Sequence, residues 1–150
     1  MKYILKIILI SVLFFGCKKE TNSNSNQTDL SIESIDIDNF FKSNPENKNI
    51  VKEVNLFYKN RNFQYAWFSK KGMTQAVSNF QNQLQNYCKD FNDQSFKNEQ
   101  LDTLVTLIKT NLNESSINPK QRENLELLLT TTFFKYSEKR LEEIERIFPC

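Results

Sequence analysis

Glycine is nearly missing from this chain of 150 residues, which contains 2 glycines and 3 prolines. Folds built from strands and tight turns use glycine where the backbone adopts conformations that other residues avoid. A chain with so few glycines has little means of building such a fold, so its composition favours helices. The 13 phenylalanines supply large apolar side chains for a core. The sequence therefore predicts an all-α fold.

The first residues have the pattern of an export signal. Lys2 and Lys6 give a positive start, residues 7–15 are almost all apolar, and Gly16 is small. A charged start, a short apolar run and a small residue are the marks of a secretory signal peptide. The apolar run is roughly half the ~20 residues that a membrane-spanning helix needs. We therefore expect residues 1–16 to be a signal peptide that is cut away.

The end of this signal resembles the lipobox of bacterial lipoproteins, in which a small residue precedes the cysteine that receives a lipid. Gly16 and Cys17 match that pattern, whereas Phe14 stands where the family usually has leucine and Phe15 is bulkier than usual. The alternative is an ordinary signal peptide cut nearby, with Cys17 a plain thiol. The resemblance implies a lipid on Cys17 that anchors the chain to a membrane of the bacterial envelope.

A polar stretch follows the cysteine. Residues 18–29 contain no apolar residue and are rich in asparagine and serine. Such a composition cannot bury enough apolar surface to fold and behaves as a flexible linker. We expect residues 17–36 to be a lipidated, disordered tether and residues 37–150 to be one helical domain.

The chain has no histidine. This excludes Cys–His and Ser–His catalysis within the chain, and also histidine-based zinc sites. There is also no glycine-rich phosphate loop and no C-x-x-C pair. We therefore expect no catalytic residue, no metal and no cofactor.

The charge balance bears on partners. The sequence has 20 basic and 18 acidic side chains, and removing Lys2 and Lys6 with the signal leaves 20 − 2 = 18 basic against 18 acidic. A near-neutral chain has no excess of positive charge to hold a phosphate backbone. We therefore expect no nucleic-acid partner.

Two cysteines remain if Cys17 carries a lipid. Cys88 and Cys150 would lie in an oxidising compartment, where disulfides persist. Sequence alone cannot place their Cα atoms close enough to bond. The alternative is that Cys88 continues an apolar helical stripe and is a buried small side chain.

Apolar residues recur at helical spacing along most of the domain. The pattern predicts a bundle of about four main helices, with a short additional helix around Ile37–Lys42. The main helices are predicted to start at Pro45, after a cap at Thr74, near Leu101 and at Pro119. The loop over residues 90–97 is predicted to tuck Phe91 and Phe96 inward. The stripe of the last helix includes Leu141 and Ile144.

The most distinctive stretch is rich in aromatic residues and covers residues 57–72. One interpretation is packing, in which these side chains plug the bundle, since a tryptophan among apolar residues is usually in the core. The other interpretation is a shelf that binds a sugar or a peptide. The candidate residues for either role are Phe57, Tyr58, Arg61, Phe63, Trp67 and Phe68.

Two blocks of sequence resemble the helical scaffold domain that precedes the catalytic domain in large bacterial L,D-transpeptidases, the enzymes that cross-link peptidoglycan. The resemblance covers about residues 38–140. The first block is the aromatic stretch, matched at Phe57, Tyr58, Arg61, Phe63, Ala66, Trp67, Phe68, Gly72 and Thr74. The second is Glu126-Leu127-Leu128-Leu129-Thr130, followed by Phe133, Phe134 and Tyr136. In one departure, Asp90-Phe91 stands where the family often has Gly-Leu.

The family's catalytic domain, with its Ser-His-Gly-Cys motif, is not in this sequence. The resemblance therefore implies a non-catalytic scaffold, either free-standing or part of a truncated or split enzyme. It would support or position cell-wall cross-linking, with peptidoglycan or a separate transpeptidase catalytic domain as partner. The alternative function is that of an unrelated envelope lipoprotein, such as an inhibitor or immunity partner of a wall hydrolase.

Overall fold

The structure, a computed structural model, describes residues 29–110 and 118–147. These residues form five α-helices, one 3-10 helix and a two-stranded antiparallel hairpin, so the predicted all-α class is confirmed. The elements in chain order are α1 (Ser34–Ser43), a 3-10 helix (Pro45–Ile50), α2 (Val51–Asn60), β1 (Phe68–Ser69), β2 (Gly72–Met73), α3 (Gln75–Phe91), α4 (Glu99–Thr110) and α5 (Pro119–Ile147). The predicted signal peptide, the lipidation site Cys17 and Cys150 lie outside the described residues.

Helix α5 is the centre of the fold. It contacts each of the other four helices and the 3-10 helix. Residues 125–132 are all buried, which means that this part of α5 is covered on every side. A helix that is apolar all round is a core helix, and the run Leu127-Leu128-Leu129 has that character. Pro119 at the first helical position explains where α5 begins, because its missing N–H would be unpaired there in any case.

The segment before α1 belongs to the folded domain. The Ile32 amide donates to the Phe63 carbonyl at 2.9 Å, and the Tyr65 amide donates to the Leu30 carbonyl at 2.9 Å. Ile32 is 3% exposed and joins the core. The prediction of a tether through residue 36 was therefore wrong at its end, because the backbone of residues 63–65 binds residues that composition alone assigned to a linker.

Two helix starts differ from the prediction. The helix predicted from Pro45 begins instead as a 3-10 helix that turns into α2 at Val51. In a 3-10 helix, residues three apart lie on the same side, so Asn47 and Ile50 are both buried. Thr74 does occupy the cap position of α3, but its side chain makes no capping hydrogen bond.

Phe91, Leu141 and Ile144 are among the apolar side chains that lie outside the core. Phe91 is the last residue of α3 and is 52% exposed, so the prediction that it tucks inward was wrong. Leu141 and Ile144 are 61% and 48% exposed, although their spacing placed them on the apolar stripe of α5. Arg140 lies over the Phe91 ring, at 5.2 Å from its centroid. The last turns of α5 therefore run beyond the end of α3.

No helix in the described part of the chain is long and apolar enough to cross a membrane.

Candidate functional site

The two blocks of sequence meet at one buried carboxylate. Glu126, on the fully covered part of α5, is 0% exposed. Its Oε1 accepts hydrogen bonds from the Tyr58 hydroxyl at 2.9 Å and from the Ala66 amide at 2.6 Å. Its Oε2 accepts one from the Trp67 amide at 3.0 Å. One side chain of the second block therefore binds three groups of the first block.

Thr130 completes this network one turn further along α5. Its hydroxyl oxygen accepts a hydrogen bond from the Trp67 indole Nε1 at 2.8 Å and lies 2.7 Å from the Tyr58 hydroxyl oxygen. The same hydroxyl donates to the Glu126 carbonyl at 3.0 Å. We name Tyr58, Ala66, Trp67, Glu126 and Thr130 the Glu126 network. Glu126 bonds to each of the other four, and Tyr58, Trp67 and Thr130 each bond to at least two members. Such connected networks specify one arrangement of a core.

Burial dominates the electrostatics of this network. It raises the pKa of Glu126 to about 7. The Ala66 and Trp67 amides and the Tyr58 hydroxyl act in the opposite direction, because their hydrogen bonds favour the charged carboxylate, but their effect is smaller than that of burial. The pKa of Tyr58 is raised well above its ordinary value, first by burial and then by the neighbouring Glu126. Tyr58 therefore stays protonated and remains able to donate a hydrogen bond.

The turn after α2 brings the aromatic stretch onto α5. Asn62 and Phe63 both have left-handed backbones, with φ of 53° and 59°. Such a conformation is common for asparagine and costly for phenylalanine. The Phe63 amide donates to the Tyr58 carbonyl at 2.7 Å, and the Arg61 Nη2 donates to the Tyr65 carbonyl at 3.0 Å. These bonds reverse the chain so that Tyr58 and Trp67 reach the same stretch of α5.

The structure separates the six candidate shelf residues into two groups. Tyr58, Trp67 and Phe68 are 0%, 7% and 1% exposed, so they lie in the core and cannot offer a face to a ligand. The other three, Phe57, Arg61 and Phe63, are partly exposed. Arg61 lies over the Phe57 ring, at 5.2 Å from its centroid.

Trp67 has aromatic neighbours as well as polar ones. Its ring stacks on Phe80 of α3, with centroids 5.5 Å apart. Phe133 of α5 packs edge-on against both rings, at 6.1 Å from Trp67 and 5.6 Å from Phe80. Trp67 therefore joins the hairpin segment to two helices at once.

A groove of about 700 Å³ lies between α3 and α4. Leu84, Leu101 and Val105 line it, together with amide side chains that include Gln85. Cys88 lines the same groove and is half-buried, so it is less buried than the interpretation as a buried small side chain predicted. Cys88 has no disulfide partner among the described residues, and the predicted alternative partner Cys150 lies outside them.

Sequence reasoning missed the importance of Glu126. The sequence pattern presents it only as the acidic residue of the second block. The signal was present, since Glu126 is the one charged residue between Leu125 and Phe134, in a run otherwise made of leucine, threonine and phenylalanine. Charged residues are almost never fully buried unless they have partners, so an acid inside such a run indicates a buried network. Within residues 29–110 and 118–147, no three side chains of the kinds that bind metals come together.

Comparisons with known proteins match a region that contains both blocks. A family model described as Scaffold domain matches residues 52–142. The comparisons with curated proteins and with solved structures gave no match. The match spans more than half of the chain and contains the whole Glu126 network, and on this basis the chain belongs to the scaffold-domain family.

Proposed function

We propose that this chain is a lipid-anchored, non-catalytic scaffold that supports peptidoglycan cross-linking by an L,D-transpeptidase. The observation that carries the proposal is the Glu126 network. It joins the two blocks that resemble the transpeptidase scaffold, because Glu126 bonds to Tyr58, Ala66 and Trp67 and Thr130 bonds to Trp67. The polar groups of this network bond to each other and so hold the fold together. This structural role is the one expected of a scaffold.

The end of the bundle supplies a surface for a partner. Phe91, Leu141 and Ile144 are each about half exposed or more. Large apolar side chains that gather at one end of a small domain are typical of interaction sites. In the enzymes that the chain resembles, the catalytic domain follows the scaffold, so this end of α5 is the one expected to meet it. We propose that a separate catalytic domain packs here.

The anchoring part of the proposal rests on the sequence around Cys17. A lipid there would hold the domain at a membrane facing the cell wall, with the following polar residues as a linker. The test is fractionation of bacteria that express the full chain and its Cys17→Ser variant. We expect the unchanged chain in the membrane fraction with a mass that includes the lipid, and the variant without that mass. An unlipidated chain in the soluble fraction would contradict the anchoring.

The scaffolding part is tested by capture of partners from the cell envelope. We expect the chain to retain a protein with an L,D-transpeptidase catalytic domain, and a Leu141→Glu/Ile144→Glu variant to lose it. Leu56→Glu is the matched control, because Leu56 is a comparably exposed apolar residue, 54% exposed, on a different helix, α2. Retention of a secreted wall hydrolase instead would favour the inhibitor or immunity function.

A further inference from the structure

A small polar cavity separates the middle of α5 from the start of α4. Its volume is about 210 Å³, and its walls come from the 3-10 helix, the loop before α4 and α5. This is below the roughly 300–1,000 Å³ that holds a drug-sized molecule, so the cavity fits a small group or the end of a chain. The cavity lies apart from the Glu126 network, although both are built on α5.

One wall of the cavity carries a buried hydroxyl without a partner. Thr131 is 1% exposed, lines the cavity, and its Oγ1 has no hydrogen-bond partner among the described residues. Its neighbours behave differently, since Thr130 and Thr132 donate to the carbonyls one turn back at 3.0 Å and 2.8 Å. A buried hydroxyl without a hydrogen-bond partner destabilises the fold, and such a group calls for an explanation.

The charges around the cavity are mainly positive. Lys97 and Lys135 line it against one carboxylate, that of Glu46. Neither lysine forms a salt bridge within the described part of the chain. Asn47, which is 4% exposed, adds a buried amide whose Nδ2 donates to the Glu46 Oε1 at 3.1 Å. The cavity therefore offers two unpaired ammonium groups and a buried hydroxyl to an acceptor.

We propose that this cavity binds the terminal carboxylate of a short peptide. A carboxylate accepts several hydrogen bonds and carries the charge that two lysines attract, and the volume leaves room for little more than the terminal residue. The inference rests on the proposed function, because the peptides of a cell wall present free carboxylates to a scaffold at the membrane. Binding here would hold a wall peptide while a partner acts on it.

The test is calorimetric titration of the full chain with an N-acetylated alanine dipeptide, as the free acid and as the C-terminal amide. We expect the acid to bind and the amide to bind about tenfold or more weakly, because the amide has lost its charge. Lys135→Met is expected to weaken binding of the acid. Lys89→Met is the matched control, since Lys89 lies on α3 beside the other groove, and it should leave binding unchanged.

The Thr131→Val variant distinguishes an effect on binding from an effect on the stability of the fold. Valine has the shape of threonine without the hydroxyl, so the variant should be as stable as the unchanged chain or more stable. Its affinity for the acid should nevertheless fall. Equal binding of acid and amide, no binding of either, or undiminished binding by Thr131→Val would overturn the proposal.

Acetate distinguishes the source of the carboxylate. If acetate alone binds as tightly as the dipeptide, the cavity takes any small carboxylate and the assignment to a peptide is overturned. These measurements contain no membrane and no partner protein. Their failure would therefore leave the lipid anchor and the capture of a transpeptidase to be judged by their own experiments.

Discussion

The stability of this protein should fall as the pH rises from 5 to 8, because of Glu126. Burial raises its pKa from the ordinary value of 4.5 to about 7 in the folded protein. The folded state therefore binds this proton more tightly than the unfolded state does. The resulting stabilisation is complete below the unfolded pKa and is lost as the pH rises through the folded one.

The magnitude follows from the two pKa values. Each pH unit between them corresponds to 1.36 kcal/mol, so a pKa of about 7 against 4.5 amounts to about 3 kcal/mol. About 2 to 3 kcal/mol of this is lost between pH 5 and pH 8. No histidine adds to the pH dependence between pH 5 and pH 8, because the chain has none, and histidine is the side chain that ordinarily titrates in this range. The loss is a large fraction of the ~5–15 kcal/mol that stabilises a domain.

Urea unfolding across this pH range, followed by the fluorescence of Trp67, is the assay. Trp67 is the single tryptophan and lies in the network itself. Glu126→Gln is the comparison, because glutamine keeps the shape of the side chain and does not titrate. We expect the variant to be less stable than the unchanged chain at pH 5, because one amide hydrogen of the glutamine side chain faces a hydrogen-bond donor. The stability of the variant should then change little between pH 5 and pH 8. A flat profile for the unchanged chain, or an equal fall for the variant, would refute the reasoning.

Two further substitutions test the fold by the same urea assay. Thr130→Val leaves the buried Trp67 indole N–H without an acceptor and should cost about 1–3 kcal/mol, whereas Thr131→Val, one residue on, should cost nothing. Equal effects of the two would contradict the role of Thr130. Asn98→Ala removes the side-chain cap of α4, which bonds at 3.0 Å, and should cost about 1 kcal/mol. The cap position of α3, Thr74, makes no such bond, so a similar loss for Thr74→Ala would argue against the capping account.

The positions of the helices could be predicted well from the sequence, but the packing of one helix against another could not. Pro119 and the apolar spacing located the start of α5 because both act locally, through backbone geometry and periodicity. The same periodicity placed Leu141 and Ile144 in the core, where they are not. Spacing fixes which residues share a face, but it cannot show whether another helix covers that face.

The Glu126 network shows the same division for the candidate site. The sequence separates Tyr58 and Glu126 by 68 positions, and their hydrogen bond exists only because the chain reverses after α2. The reversal depends on left-handed backbones at Asn62 and Phe63, which is a conformation that phenylalanine does not suggest. The two blocks could therefore be found in the sequence, but their contact could not.

By itself, the sequence favoured the helical class, through its scarcity of glycine, and its lack of histidine means that no residue of this chain supplies histidine chemistry. Both statements rest on composition, which does not depend on how the chain folds. Only the tertiary structure decided that Glu126 is buried, with a pKa of about 7, and that Thr131 faces a cavity without a partner. Burial and hydrogen bonding depend on which distant segments meet, and that is set by packing.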